Sequence, residues 1–169
     1  MIAKPMPLLL LLGASMTVPS AWADTAVLTI NGRVVAGTCV LTVPAVTLPD
    51  IKASDLVDGQ NRELQNVTLS LNACNGVSKA ELEFDGAADP STPNLWQNIA
   101  SAAAATGVAF AILDGSSGEN YVSKGDLLSV PVAGAQAAHL IRVGYQRLAG
   151  GGITTGAMRA EVTITANYE

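Results

Sequence analysis

The last twelve residues of the chain alternate between apolar and polar side chains without exception, and this pattern constrains the fold more than any other feature. The apolar positions are Met158, Ala160, Val162, Ile164, Ala166 and Tyr168. A period of two over this length is typical of a β-strand with one buried face. The sequence therefore predicts that the chain ends on a long strand, and that something must cover its apolar face.

The same period recurs along the chain and predicts an all-β protein. Further strand patterns lie at 26–35, 39–48, 66–74, 79–86, 107–115 and 137–148. The segment 107–115 is apolar throughout before its closing Asp-Gly, which indicates a strand buried on both faces. About seven short strands with turn-rich connections and little helical periodicity predict an antiparallel β-sandwich. The alanine-rich segment 98–107 is interpreted as a connection with room for one short helix.

The first 23 residues have the pattern of a secretory signal peptide. Lys4 precedes a short apolar run at 8–12, and Ala21 and Ala23 occupy the positions that a signal peptidase inspects. The apolar run is too short to span a bilayer, and Pro19 interrupts the residues that follow it. We therefore expect an exported protein that is cut after Ala23.

The chain has two cysteines, Cys39 and Cys74, and an even pair in an exported protein predicts one disulfide. Closing a loop of about 35 residues would stabilise the fold by roughly 3–4 kcal/mol. Two thiols and the single histidine, His139, do not supply four metal ligands, so neither a metal nor a cofactor is expected. A formal net charge of −5 without a basic cluster argues against nucleic acid and membrane partners.

The segment that follows the signal, 24–36, has two interpretations on its residues alone. Its alternating pattern places Ala26, Leu28, Ile30, Gly32 and Val34 on one face. The segment is either an ordinary first strand or a detached arm that pairs with another chain. Gly32 favours the arm, because a glycine inside a strand often marks the close approach of another backbone. The residues leave both interpretations open.

The motif TINGRVVAGTCVL stands at 29–41. It resembles the N-terminal extension and first strand of the subunits of type 1 fimbriae, or pili, of the chaperone–usher class, most of all the minor tip adaptor. LSLNAC matches the second cysteine of the family after an alternating strand, and FDGAAD and GVAFAILDGSSG resemble the middle of the family. YQRL, the Gly-rich turn after it and GAMRAEVTITANYE resemble the end of the family. Gly156, the fourteenth residue from the end, and the penultimate Tyr168 match two markers of its last strand.

This resemblance implies an incomplete immunoglobulin-like β-sandwich, the pilin fold, with six strands and the seventh missing. It divides the chain into a signal peptide at 1–23, a donor-strand extension at 24–36 and a pilin domain at 37–169. The gap leaves a hydrophobic groove beside the last strand. A periplasmic chaperone fills the groove first, and the extension of the next subunit replaces the chaperone at the outer-membrane usher. The donor strand would use Ala26, Leu28, Ile30, Gly32 and Val34, and the acceptor groove Gly156, Met158, Ala160, Val162, Ile164, Ala166 and Tyr168.

The implied function is that of a structural subunit of a cell-surface fimbrium that polymerises by donor-strand exchange with neighbouring subunits and supports cell adhesion. The segment TINGRVVA favours a minor tip adaptor, and a major shaft pilin and a terminator are the alternatives within the family. A carbohydrate-binding adhesin is an alternative of another class. Trp96 is the single tryptophan after the signal, too little for an evident sugar-stacking platform, and is expected to pack over a loop.

Catalysis is not expected from these residues. His139 has apolar neighbours, and no serine or cysteine stands in a nucleophile motif. Asp50, Asp55 and Asp58 are interpreted as loop carboxylates, because they lack the full pattern of a calcium-binding loop.

Overall fold

The computed structural model describes residues 29–33, 35 and 37–169, so the predicted signal peptide lies outside the described residues. Residues 37–169 form two β-sheets and a single turn of 3-10 helix at Ala53–Asp55. The strands are β1 (Thr38–Thr42), β2 (Asn61–Asn75), β3 (Lys79–Gly86), β4 (Val108–Asp114), β5 (Leu127–Pro131), β6 (Ala137–Arg147) and β7 (Val162–Tyr168). The prediction of an all-β sandwich is confirmed. In the described part of the chain, no helix has the length and apolar character needed to cross a membrane.

The first sheet has the strand order β1-β2-β6-β4 and the second has β5-β3-β7, with antiparallel pairing throughout. Strands β1 and β7 therefore lie at the edges of different sheets. The core fills the space between the sheets, because each strand turns its apolar alternate positions inward. Ala80, Leu82 and Phe84 of β3 are fully buried there.

Strand β4 is buried on both faces, as its continuous apolar sequence predicts. Its inner face joins the main core, and on its outer face Ala109 and Ala111 pack against Leu95. The free edge of β4 is also covered. Phe110 exchanges two backbone hydrogen bonds with Trp96, and the N–H of Val122 donates to the carbonyl of Ile112 over 2.8 Å.

The predicted disulfide is present and joins the two neighbouring strands β1 and β2. Cys39 lies on β1 and Cys74 near the end of β2, with their Cα atoms 4.1 Å apart. The bridge fixes β1, which has only one strand partner in the described part of the chain. It thereby anchors the edge of the first sheet and the segment that follows β1.

The structure differs from the sequence patterns at several places. Strand β1 ends at Thr42 rather than running on to residue 48, since Pro44 has no backbone N–H to donate. The alanine-rich segment 98–107 forms no helix, and it makes isolated bridges to residues 154 and 157 instead. Strand β5 has no counterpart among the predicted strands, because LLSVP is short and lacks a clear alternation.

The described residues 29–33 belong to a separate N-terminal unit that ends at Arg33. Its described residues, 29–33, belong to no helix or strand. The predicted donor positions Ile30 and Gly32 fall in this stretch, whereas Ala26, Leu28 and Val34 lie outside the described residues.

Candidate functional site

Strand β7 has one paired edge and one edge without a strand partner. It pairs with β3 along its whole length, from Val162 opposite Gly86 to Tyr168 opposite Ala80. No strand of the described part of the chain pairs with its other edge. An open edge presents backbone N–H and C=O groups in a row, and these can pair with an added strand.

The apolar face of β7 is only half covered. The polar residues of β7 and of the four positions before it are exposed, whereas the apolar residues between them are only partly exposed. This partly exposed row consists of Met158, Ala160, Val162, Ile164, Ala166 and Tyr168. The inward residues of the neighbouring strand β3 are completely buried in the same core. The contrast between adjacent strands indicates that cover is missing on the β7 side of the sandwich.

An open apolar cavity of about 950 Å³ lies along this face. One side is formed by the segment 153–162 that leads into β7, and another by residues of 43–51, the segment after β1. Core residues of the first sheet and its β4 edge complete the lining, among them Val67, Trp96, Phe110, Ile112, Ile141 and Tyr145. We call this cavity the acceptor groove. Its volume and composition are those of a site that takes apolar side chains.

Trp96 is part of this groove, and the expectation that it packs over a loop is wrong. The side chain is 1% exposed and belongs to the main core. Its indole N–H donates to the carbonyl of Val122 over 2.9 Å, so the polar end of the ring is satisfied. The ring therefore contributes a fixed apolar surface to the groove.

At the end of β7, Tyr168 links the two sheets. Its hydroxyl donates to the backbone carbonyl of Cys39 on β1 over 3.1 Å. The next residue, Glu169, is also held, because its carbonyl accepts from the N–H of Ser78 over 2.7 Å and its N–H donates to the carbonyl of Lys79 over 2.9 Å. Hydrogen bonds therefore hold both Tyr168 and Glu169 at the end of β7.

Gly156 lies where the segment leading into β7 passes against the alanine-rich segment. A Cβ atom placed on Gly156 would lie 2.1 Å from the carbonyl oxygen of Ala103 and 2.6 Å from the nitrogen of Ala105. Both of these are backbone atoms, which cannot move aside as a flexible side chain does. Glycine is therefore required at this position by the close approach of two backbones.

Five of the seven predicted acceptor residues line the groove: Gly156, Met158, Ala160, Val162 and Ile164. Ala166 and Tyr168 continue the same face and pack against the core beyond the groove lining. The groove residues that sequence reasoning missed are those of 43–51 and the aromatic residues Trp96, Phe110 and Tyr145. The continuous apolar run of β4 was the one signal that pointed to Phe110, since it marked a strand with no polar face.

The groove keeps its apolar character although charged residues stand at its margin. Asp50 contributes to the lining, and Arg159 pairs with Glu161 on the exposed side of the segment before β7. Burial raises the pKa of Tyr145, with smaller contributions from Asp50 and Glu63. The phenol of Tyr145 is therefore neutral at physiological pH, and the aromatic lining adds no charge to the groove.

The remaining titratable candidates occur as separate pairs. Nε2 of His139 lies 2.6 Å from Oδ1 of Asp114, where both side chains are partly exposed. Asp58 pairs with Arg147, with 2.7 Å between Oδ1 and Nε. Within the described ranges, no three His, Cys, Asp or Glu side chains come together as metal ligands.

Solved structures with the same two-sheet arrangement include several pilus proteins. The rod subunit PapA of the P pilus aligns with a TM-score of 0.64 at 16% identity, over 78% of this chain and 99% of PapA. A subunit in a structure of a chaperone–usher pilus that concerns rod uncoiling aligns with a TM-score of 0.64 at 18% identity, over 92% of this chain and 100% of that one. The CupB6 tip adhesin of Pseudomonas aeruginosa aligns with a TM-score of 0.64 at 18% identity, over 78% of this chain and 38% of the adhesin.

The fold is thus that of pilus subunits, and the sequence gives the family directly. Residues 28–169 match the family model described as fimbrial protein. The chain belongs to the fimbrial protein family. No curated protein gives a significant match to the sequence.

Proposed function

We propose that this chain is a structural subunit of a chaperone–usher fimbrium that polymerises by donor-strand exchange. The observation that carries the proposal is the acceptor groove, an open apolar cavity beside the unpaired edge of β7. An added strand gains main-chain hydrogen bonds from the edge and side-chain burial from the groove. Family membership and the folds of the similar pilus proteins support the same conclusion.

The donor is the segment 24–36 of a neighbouring subunit, offered as an extension ahead of the pilin domain at 37–169. The apolar donor side chains are Ala26, Leu28, Ile30 and Val34. Burying these four would contribute about 5–9 kcal/mol at ~25 cal/mol per Å² of apolar surface. Backbone hydrogen bonds of roughly 1 kcal/mol each add to this sum. A strand bound along the whole groove dissociates slowly, which suits a fibre under load.

A periplasmic chaperone occupies the groove before assembly, and the outer-membrane usher is where the next subunit replaces it. The subunit thus passes through the periplasm and resides in a fimbrium on the cell surface. Within the fimbrium we propose a minor tip-adaptor role that supports adhesion, on the resemblance of TINGRVVA to that subunit class. The rod subunit and the tip adhesin among the similar structures share the fold, so the fold favours neither position.

The test uses the full chain isolated from the periplasm together with its chaperone. A synthetic peptide of residues 24–36 is added, and chaperone release and the thermal midpoint of the subunit are measured. We expect the peptide to displace the chaperone and give a subunit with a higher midpoint. The same peptide with Ile30→Asp is the matched control and should displace far less. A subunit that ignores the unmodified peptide and is stable without any partner would overturn the proposal.

The tip position is tested separately by labelling the subunit on isolated fimbriae with gold-conjugated antibody. We expect label at fibre ends only. Label along the whole fibre would assign the chain to the shaft and would leave the strand-exchange proposal unaffected.

A further inference from the structure

The segment 153–161 forms one side of the acceptor groove, yet it is not part of the second sheet. Each of its residues lines the cavity, whereas pairing with β3 begins only at Val162. Its backbone is held instead by the alanine-rich segment: the N–H of Ala157 donates to the carbonyl of Ala103 over 2.7 Å, and the N–H of Ala105 donates to the carbonyl of Ala157 over 3.0 Å. Something other than the β-sheet thus determines where this side of the groove lies.

Asn98 joins the two segments with its whole amide group. Its Nδ2 donates to the carbonyls of Ala105, over 2.9 Å, and Ala157, over 3.0 Å. Its Oδ1 accepts from the backbone N–H of Ala100, over 3.1 Å, and of Arg159, over 2.9 Å. Both donor hydrogens and both acceptor positions of the side chain are used, which is the full capacity of an asparagine.

The backbone of Asn98 is anchored to the first sheet. Two residues earlier, Trp96 is buried in the core and exchanges backbone hydrogen bonds of 2.8 and 2.9 Å with Phe110 on β4. The side chain of Asn98 therefore connects the β4 edge of the first sheet to the segment that leads into β7 of the second. The separation of these two elements sets the width of the groove at this end.

We propose that Asn98 is a positioning residue for strand uptake: it holds the segment 153–161, one side of the groove, apart from the aromatic residues on the opposite side and so keeps the acceptor groove open where the chain enters β7. This inference rests on the proposed strand-exchange function. Without the two bonds that reach Ala157 and Arg159, the side chains of Ile153 and Met158, both partly buried against the core, would move over the aromatic lining. A bound strand would then meet a narrower groove and would be retained for a shorter time.

The test compares the full chain and its Asn98→Ala variant, each isolated with the periplasmic chaperone. After exchange with the 24–36 peptide, the dissociation rate of the peptide is measured at a temperature well below both unfolding midpoints. We expect dissociation at least tenfold faster in Asn98→Ala. Hydrogen exchange of the peptide-free 153–161 backbone should also rise, whereas that of β3 should not.

The matched control is Asn61→Ala. The Asn61 amide donates to the hydroxyl of Tyr121 over 3.2 Å and lies outside the acceptor-groove lining, so this variant loses a tertiary hydrogen bond elsewhere. We expect its peptide dissociation rate to stay within twofold of the parent. Equal rates in Asn98→Ala and the parent would overturn the positioning role, whereas a parent that binds no peptide would overturn the proposed function itself.

A milder variant tests the premise of the proposal, that the contact between the segments 98–107 and 153–161 sets the groove width, if Asn98→Ala is not recovered with the chaperone. Thr154 belongs to the contact between the segments 98–107 and 153–161, where its Oγ1 accepts a hydrogen bond from the N–H of Thr106 over 3.0 Å. Thr154→Val removes this acceptor and keeps the side-chain volume. Faster peptide dissociation in Thr154→Val supports the contact between the segments 98–107 and 153–161 as the determinant of groove width. An unchanged dissociation rate overturns this premise of the proposal.

Discussion

The hydroxyl of Tyr168 donates a hydrogen bond to the carbonyl of Cys39 and so ties the last strand of one sheet to the first strand of the other. This bond lies beside the disulfide that fixes β1 to β2. The penultimate residue therefore has a structural task at the end of the acceptor groove, in addition to its place in the alternating pattern of β7.

Replacing Tyr168 with phenylalanine keeps the ring in the core and removes only the hydroxyl. We expect the peptide-complemented subunit to lose about 1 kcal/mol of unfolding free energy, the usual contribution of one such hydrogen bond. Urea unfolding measures the change. Adding Cys39→Ser and Cys74→Ser to both proteins should leave the Tyr168 effect in place, because the acceptor is a backbone carbonyl. An unchanged midpoint in Tyr168→Phe would contradict this assignment.

Gly156→Ala places a methyl group against the backbone of the alanine-rich segment. Because the new Cβ would lie 2.1 Å from the carbonyl oxygen of Ala103, the two segments must separate. We expect a loss of about 1–3 kcal/mol, as for other overpacked sites, together with weaker peptide binding. Gly152→Ala is the control, since its Cβ would meet nothing within 4 Å. Similar losses in the two variants would argue against the close approach as the cause.

Ile164→Asp introduces a charge into the half-covered face of β7. We expect chaperone capture and peptide binding to fall at least tenfold, because an incoming strand would bury the carboxylate without a partner. Thr165→Asp changes the neighbouring, exposed position on the other face and should bind nearly normally. Chaperone capture of both variants is measured as the recovery of the subunit with its chaperone from periplasmic extracts. Equal recovery of the two variants would count against the groove as the binding face.

Gly32→Leu tests the donor segment, which is a different part of the chain. A bulky side chain at this donor position should block insertion of the extension into a neighbouring groove. We expect the subunit to form its chaperone complex normally and to disappear from isolated fimbriae, as measured by immunoblotting of both fractions. Asn31→Leu is the control, because Asn31 falls between the donor positions of the alternating pattern. Normal incorporation of Gly32→Leu would contradict the donor-strand role of this segment.

Removing the disulfide with Cys39→Ser and Cys74→Ser should cost roughly 3–4 kcal/mol, because the unfolded chain regains the freedom of a loop of about 35 residues. The urea midpoint of the peptide-complemented subunit measures this loss. A reducing agent should lower the midpoint of the parent and leave that of the double variant unchanged. If reduction leaves the parent midpoint unchanged as well, the bridge has no stabilising role.

Strand β7 was predictable because the information that specifies it is local. A period of two is visible in the residues themselves, and it placed Val162 and Ile164 on the groove side of β7. The start of the strand was not predictable in the same way. The alternation begins at Met158, but the pairing with β3 begins at Val162, because contacts with the alanine-rich segment hold the residues before it.

The groove lining and the reason for Gly156 required the tertiary structure. Trp96 stands among turn residues without any periodicity, and its burial depends on β4 and on the carbonyl of Val122. Gly156 was recognised as a family marker, but the atom that excludes a side chain there belongs to Ala103. Strand β5 was missed for a similar reason, since a short edge strand acquires its register from β3 rather than from its own sequence.

The covered edge of β4 has a consequence for the shape of anything built from this subunit. Trp96 and Val122 already occupy the backbone positions at which a further strand would extend the first sheet sideways. Strand addition at β7 is free of any such obstruction from the described strands. Copies joined through the groove would therefore extend the second sheet at β7 without widening the first sheet at β4.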